Sequence, residues 1–417
     1  MEKKRFILLI GILIIFNLLI GHSFYVEKLR IEEQKRKEEE NIVMIPKVSF
    51  WGDLSNMSSK KEQRKIVLKY ESKDKNFDTH ALIKWQGTSS IGYAKKNYTI
   101  NLYKNDNFEK ENKVNVNLGG PQSVYCLKAN WIDKTHARNI VTARIMAKIQ
   151  NRYNLFKDTP NNGLIDGFPI EVYLNGEFLG LYTWNIPKDA WMFNMDEENE
   201  NHIVFVAERW DASNLFKGEA KYGEWEVEVG EENDENLSKL NRVINFVNTS
   251  DDATFKRDFD KYLNLDATIN YLIMMEFAGL DDNVAKNMLL VTYDGNIWYP
   301  SLYDLDTSWG TVYDGKSLTD YNILTLVTKS KLWERVIEIY SKEIAERYFE
   351  LRKDVLTKEK VMKEFNDFYK SVPEETWQKE IEKWEGIPGY DYSQIEEFLD
   401  IRIPIIDELM KKRLEQE

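Results

Sequence analysis

Two polar clusters in this 417-residue chain hold the residue types that can do chemistry. The denser is Asp281-Asp282-Asn283-Val284-Ala285-Lys286-Asn287, which follows the apolar stretch Tyr271–Leu280. It runs into a hairpin that reads Met288–Tyr293, a turn at Asp294-Gly295, then Asn296–Leu302, with Tyr303-Asp304-Leu305-Asp306 at the far end. A hairpin returns to its origin, so Asp282, Asn287, Asp304 and Asp306 are expected to meet at one rim. Carboxylates and an amide on adjacent segments are the hard oxygen ligands that suit Mg²⁺. Each of these residues alone is equally at home in a turn or at a helix end.

Spacing sharpens the reading. Asp282 and Asn287 fit Asp-x-x-x-x-Asn, the spacing of the protein-kinase catalytic loop. In that loop the Asp receives the substrate proton, the Asn holds Mg²⁺, and a later Asp holds the metal on the phosphates. Asp304 stands in the place of that later Asp. The second cluster runs from Trp85-Gln86-Gly87-Thr88-Ser89-Ser90 to Lys95-Lys96 and joins two strands. A loop of Gly87, Ser89 and Ser90 offers backbone N–H groups to phosphate oxygens, and Lys95 and Lys96 can neutralise them. It is not a P-loop, because Tyr93 stands where the lysine should be. The plain alternative is a hairpin loop with surface lysines. Lys128 on a strand and Arg138 at a helix start are further cations of this part, each also suited to a salt bridge.

The elements that position these residues fall into two groups. Ile66–Tyr70, Ala81–Trp85, Tyr98–Tyr103 and Tyr125–Ala129 read as strands rich in β-branched and aromatic residues. Pro169–Leu174, Asn175-Gly176 and Glu177–Trp184 form a hairpin signal, since Asn-Gly tolerates the positive φ of a two-residue turn. Asp133–Asn151 has helical spacing. So do Leu237–Asn248, Leu263–Leu280, Leu332–Leu356, Glu359–Lys370 and Ser393–Arg413. Strands first and helices second predict an α+β protein whose two lobes meet at a cleft. The run Glu224–Glu235, with seven acidic side chains, reads as a solvated edge or loop. Trp184, Trp191, Trp298 and Trp309 could line a sugar site, although core packing accounts for most aromatics.

Composition sets the outer bounds. The net charge is −13; residues 1–46 carry eight basic and seven acidic side chains, so the acidity belongs to the remainder. An acidic body argues against a nucleic-acid binder. One Cys and four His exclude a disulfide scaffold and make a multi-His metal centre a poor fit. Phe6–Val26 is apolar and follows Glu2-Lys3-Lys4-Arg5. Its length suits a hydrocarbon core ~30 Å thick, and the basic flank places the N-terminus in the cytoplasm. The expected organisation is a signal anchor over 1–26, with a cleaved signal peptide as the alternative. A charged stalk or linker over 27–46, a strand-rich N-lobe over 47–188 and a helix-rich C-lobe over 189–417 follow.

Four blocks together resemble the spore coat protein H (CotH) kinase family. They are Gln86–Ser90 through Lys95–Tyr98, Leu127–Asp133 through Arg138-Asn139, Val172–Tyr182, and Asp282–Asn287 with Tyr303–Gly310. The resemblance implies an atypical protein-kinase-like fold that transfers the γ-phosphoryl group of ATP to Ser or Thr of a protein of the cell envelope or spore surface. It implies Asp282 as the catalytic Asp, Asn287 and Asp304 as metal ligands, and Asp306 in support. One of Lys95, Lys96 and Lys128 would contact phosphates, with Arg138 orienting their surroundings or binding phosphate. The chain departs from ordinary protein kinases: no His-Arg precedes Asp282, and Leu305-Asp306 replaces Phe-Gly. Tyr303 fills the place of the Trp that the family pattern has before the metal Asp. The expectation is a membrane-anchored enzyme using Mg²⁺ and ATP, its globular part outside the cytoplasm. Its rivals are a non-catalytic surface-assembly protein of the same fold and a glycosidase built on Asp282 and Asp304.

Overall fold

Alternation of apolar and polar side chains builds the first part of the architecture. Strands β1 (Lys47–Trp51), β2 (Gln63–Glu71), β3 (Asn76–Gln86) and β4 (Asn97–Tyr103) each turn every second residue inward. After a small ribbon of β5 (Val114–Asn115) and β6 (Pro121–Gln122) come β7 (Val124–Lys128), β8 (Gly167–Leu174) and β9 (Glu177–Asn185). Seven of them close into a barrel in the order β1-β2-β3-β4-β7-β9-β8. Closure is made by β1, which pairs antiparallel with β2 and parallel with β8. Phe50, Leu68, Ile83, Ile100, Tyr125 and Trp184 are fully buried. The predicted tight hairpin is β8–β9, with Asn175 at φ 51° and Gly176 at φ 91°.

The computed structural model describes residues 28, 44–209, 215–318, 330–384 and 392–415, the side chain of Ser89 excepted. Contacts gather Ile45–Glu417 into one unit and Met1–Met44 into another. The apolar run 6–26 and nearly all of the stalk 27–46 lie outside the described residues. No described helix is long and apolar enough to cross a membrane.

Helix α1 (Arg138–Arg152) starts five residues later than its spacing predicts. Asp133 is the reason: its carboxylate accepts from the amides of Thr135 and Arg138, holding Asp133–Ala137 as a turn. Beyond it lies a second antiparallel sheet of β10 (Ile203–Ala207), β11 (Trp225–Val229), β12 (Met288–Thr292) and β13 (Tyr299–Leu302), in the order β11-β10-β12-β13. Of the two readings of 224–235, solvated edge or loop, the structure bears out the edge: β11 is an outer strand of this sheet. Its Glu226 and Glu228 are exposed while Trp225 and Val229 are buried. The β12–β13 connection is also longer than a two-residue turn. Asp294 accepts from the amides of Asn296 and Ile297, which spreads the reversal over Tyr293–Trp298.

The helices α2 (Asp234–Thr249), α3 (Asp252–Asp258), α4 (Leu265–Ala278), α5 (Lys331–Ile339), α6 (Ser341–Leu351), α7 (Lys358–Lys370), α8 (Glu374–Lys383) and α9 (Ser393–Glu415) complete the described chain. The helix expected over 332–356 breaks at Tyr340, whose ψ of 26° leaves the helical region. Helix α4 is buried on all faces from Ala267 to Ala278. Trp298 and Trp309 are fully buried, which assigns them with Trp184 to packing rather than a sugar site.

Candidate active site

The buried helix α4 delivers the first acidic cluster. It ends at Gly279, in the left-handed conformation (φ 67°) that glycine adopts without strain. A Cβ at Gly279 would also lie 3.1 Å from Phe398. A short 3₁₀ turn, Asp282–Val284, follows. Tyr271 of α4 donates its hydroxyl to Asn283 O at 2.6 Å, and Asn283 Nδ2 donates to Tyr303 O at 2.8 Å. Asn287 N donates to Ala207 O at 2.8 Å. The turn is thereby tied to the end of β10 and to the exit of β13.

Helix α1 holds the second acidic segment. Leu305 N donates to the Asn139 side chain at 2.7 Å, and the Trp309 indole donates to Thr142 at 2.8 Å. Asn287 (φ 63°) and Asp304 (φ 55°) both occupy the left-handed region. Asn and Asp tolerate it better than other side chains, and it persists where the surroundings fix the backbone.

These segments face the barrel across a cleft of about 840 Å³. Gly87, Ser90, Lys95 and Lys128 line one side; Asp282, Asn287, Asp304 and Asp306 line the other. The carboxylates of Asp282, Asp304 and Asp306 accept no hydrogen bond among the described residues. Burial, then the charge of Asp304, pushes Asp282 up to about 6. The same two causes raise Asp306 well above the carboxylate range, with Lys128 opposing. Burial would lower Lys128, but Tyr303, Asp304, Cys126 and Asp306 outweigh it and hold the ammonium charged.

Counting protons separates the cations. A lysine ammonium has three to donate. Lys95 gives them to Ala129 O, Leu181 O and Glu380, so none is left for a phosphate. Lys96 donates to Ile91 O at 2.6 Å and to Tyr93 O, packs over Trp85, and is not on the cleft wall. Arg138 is also off the wall: it binds Asp133, Ser308 O and Gln394, holding the chain two residues beyond Asp306. Lys128 makes no hydrogen bond among the described residues and lies 5.8 Å from the centre of the Tyr303 ring. The loop keeps Gly87 for space, because a Cβ at its φ of 102° would sit 2.0 Å from Ser90 Oγ.

The donor set suits a hard cation. Among the described residues no three His, Cys, Asp or Glu side chains form a ready cage. Two carboxylates with an amide fit Mg²⁺, which keeps waters and takes substrate phosphates for its remaining positions. The sequence reading missed Lys188, 5.0 Å from the Tyr303 ring and paired with Glu228 at 2.7 Å. No motif marks it. Lys286, whose charge opposes the rise of Asp282, lies within the Asp-x-x-x-x-Asn run itself and could have been found there.

A strand-rich part and a helix-rich part, joined at a cleft that carries this Asp–Asn–Asp set, define a kinase-like protein. The CotH kinase protein family matches residues 83–413, and the chain belongs to that family. No curated protein matches the chain.

Proposed function

We propose that the protein is an atypical kinase that transfers the γ-phosphoryl group of ATP to a Ser or Thr hydroxyl of a cell-envelope or spore-surface protein. The observation that carries this reading is the cleft that brings together Asp282, Asn287, Asp304 and Lys128, whose side chains make no hydrogen bond among the described residues. Asn287, Asp304 and Asp306 would hold Mg²⁺, which supplies charge neutralisation and alignment of the phosphates when bound. Lys128 meets the phosphate oxygens, and the Gly87–Ser90 loop covers them. Asp282 orients the acceptor hydroxyl and takes its proton as that oxygen bonds to the γ-phosphorus and the bond from it to the β-phosphate oxygen breaks, releasing ADP. With so little covalent work for the protein, the rate comes from positioning and charge.

Phe6–Val26 would anchor the chain with its N-terminus in the cytoplasm and the kinase-like unit outside. Protease accessibility in intact cells tests that topology. The chemistry is tested by calorimetry of the purified chain with ATP, with and without Mg²⁺, followed by ³²P transfer to envelope protein extracts. Binding that needs Mg²⁺ and transfer lost in Asp304→Asn support the reading. No ATP affinity would overturn it in favour of the surface-assembly role.

A further inference from the structure

Helix α8 reaches the cleft from 285 residues along the chain. Its Glu380 accepts from Lys95 Nζ at 2.6 Å through Oε1 and from Leu181 N at 2.7 Å through Oε2. The pair is at most 1% exposed. Gly180 makes room for it: a Cβ there would lie 2.7 Å from Lys95 Cε and 3.0 Å from Glu380 Oε2. Beside the pair, Trp384 donates its indole N–H to Leu179 O at 2.9 Å and meets Trp131 edge-on at 5.9 Å. Trp131 in turn stacks on Tyr93 at 6.0 Å. Tyr93, Lys95 and Trp131 all line the cleft. One turn earlier on the same face of α8, Thr376 donates to Glu171 of β8 at 2.6 Å.

The helix therefore touches the cleft wall by two routes. One is ionic and ends at Lys95; the other is aromatic and ends at Tyr93. Both endpoints belong to the segment that closes the Gly87–Ser90 loop. A fully buried ion pair is a weak source of stability compared with apolar packing, but it admits few geometries. Resting on the nucleotide reading above, we infer that Glu380 is a positioning residue for ATP. Through Lys95, and with the Trp384–Trp131–Tyr93 stack, it sets how closely the loop approaches the bound phosphates.

A double-mutant cycle on the full-length protein tests this, with Mg²⁺-dependent ATP affinity and thermal midpoint both measured. The variants are Glu380→Gln, Lys95→Met and the two combined. Positioning predicts that each single change weakens ATP binding about tenfold and that the pair together does no worse than one alone. A direct phosphate contact from Lys95 would instead make Lys95→Met far more damaging than Glu380→Gln, which overturns the inference. A lowered midpoint with ATP affinity intact also overturns it, leaving a purely structural pair. If Lys95→Met does not fold, Glu380→Gln decides alone, since it keeps the shape and the bond from Leu181 N. No ATP binding by the unsubstituted protein sinks the functional reading and this inference with it. Binding that ignores Glu380 sinks this inference only.

Discussion

Two lysines face the same cleft and live by different rules. Lys95 spends every proton on Ala129, Leu181 and Glu380, inside a pair at most 1% exposed. Lys128 has no hydrogen-bonded partner among the described residues and looks toward Asp304 and Asp306, whose carboxylates are equally unsatisfied. Residue type does not distinguish the two. What differs is whether the protein itself completes the hydrogen bonds. Completed charges hold the scaffold in one geometry, whereas uncompleted ones keep hydrogen-bonding capacity to spare.

That contrast can be broken by measurement. The largest effect is expected at the uncompleted side. Asp282→Asn or Asp304→Asn should cut phosphotransfer by about 10²–10⁴-fold. The thermal midpoint should hold or rise, because Asp304 is a cause of the raised Asp282 and Asp306. A fall in midpoint alongside the lost activity would show that these carboxylates serve the fold. Next is the completed side: Glu380→Ala leaves Lys95 buried without its counter-charge and should cost about 3–5 kcal/mol of stability, read by denaturant unfolding. Lys128→Met, by contrast, should leave unfolding nearly unchanged. It should raise the KM for ATP by about ten- to a hundredfold, the loss of one charge-assisted bond.

The pH dependence is smaller and has a definite sign. Asp282 is raised from 3.8 to about 6 by burial and by Asp304. An acid whose pKa is higher folded than unfolded favours the fold while protonated, and that contribution fades as pH climbs through the folded value. In Mg²⁺-free buffer, unfolding free energy should therefore fall between pH 4 and about 6, and Asp282→Asn should flatten that slope. The smallest effect is a control away from both lysines. Gly176→Ala, in the open β8–β9 turn at φ 91°, should cost about 1 kcal/mol. Gly180→Ala, which drives a Cβ into Lys95 and Glu380, should cost clearly more and weaken ATP binding.

The uncompleted side was readable from sequence because its parts are local. Asp282 and Asn287 share one turn, and β12–β13 returns Asp304 beside them. The Asn175-Gly176 turn was readable for the same reason. Glu380 was not, since nothing along the chain links it to a lysine 285 residues away. Strand β11 was legible only as a solvated edge or loop: the Glu–Val–Glu alternation marks a half-buried strand, but seven acids among twelve residues look like solvent. Which of Lys95, Lys96 and Lys128 already spend their protons on the protein needed the hydrogen bonds of all three, which no spacing encodes.

The barrel's closure has a mechanical side. Strand β1 is held along its length by β2 on one edge and β8 on the other. A pull at Lys47 along the strand loads both rows of hydrogen bonds in shear, so many must fail together rather than open one after another. If the chain is tethered through its N-terminal segment, tension arrives at the one strand that locks the ring, in the direction it resists best.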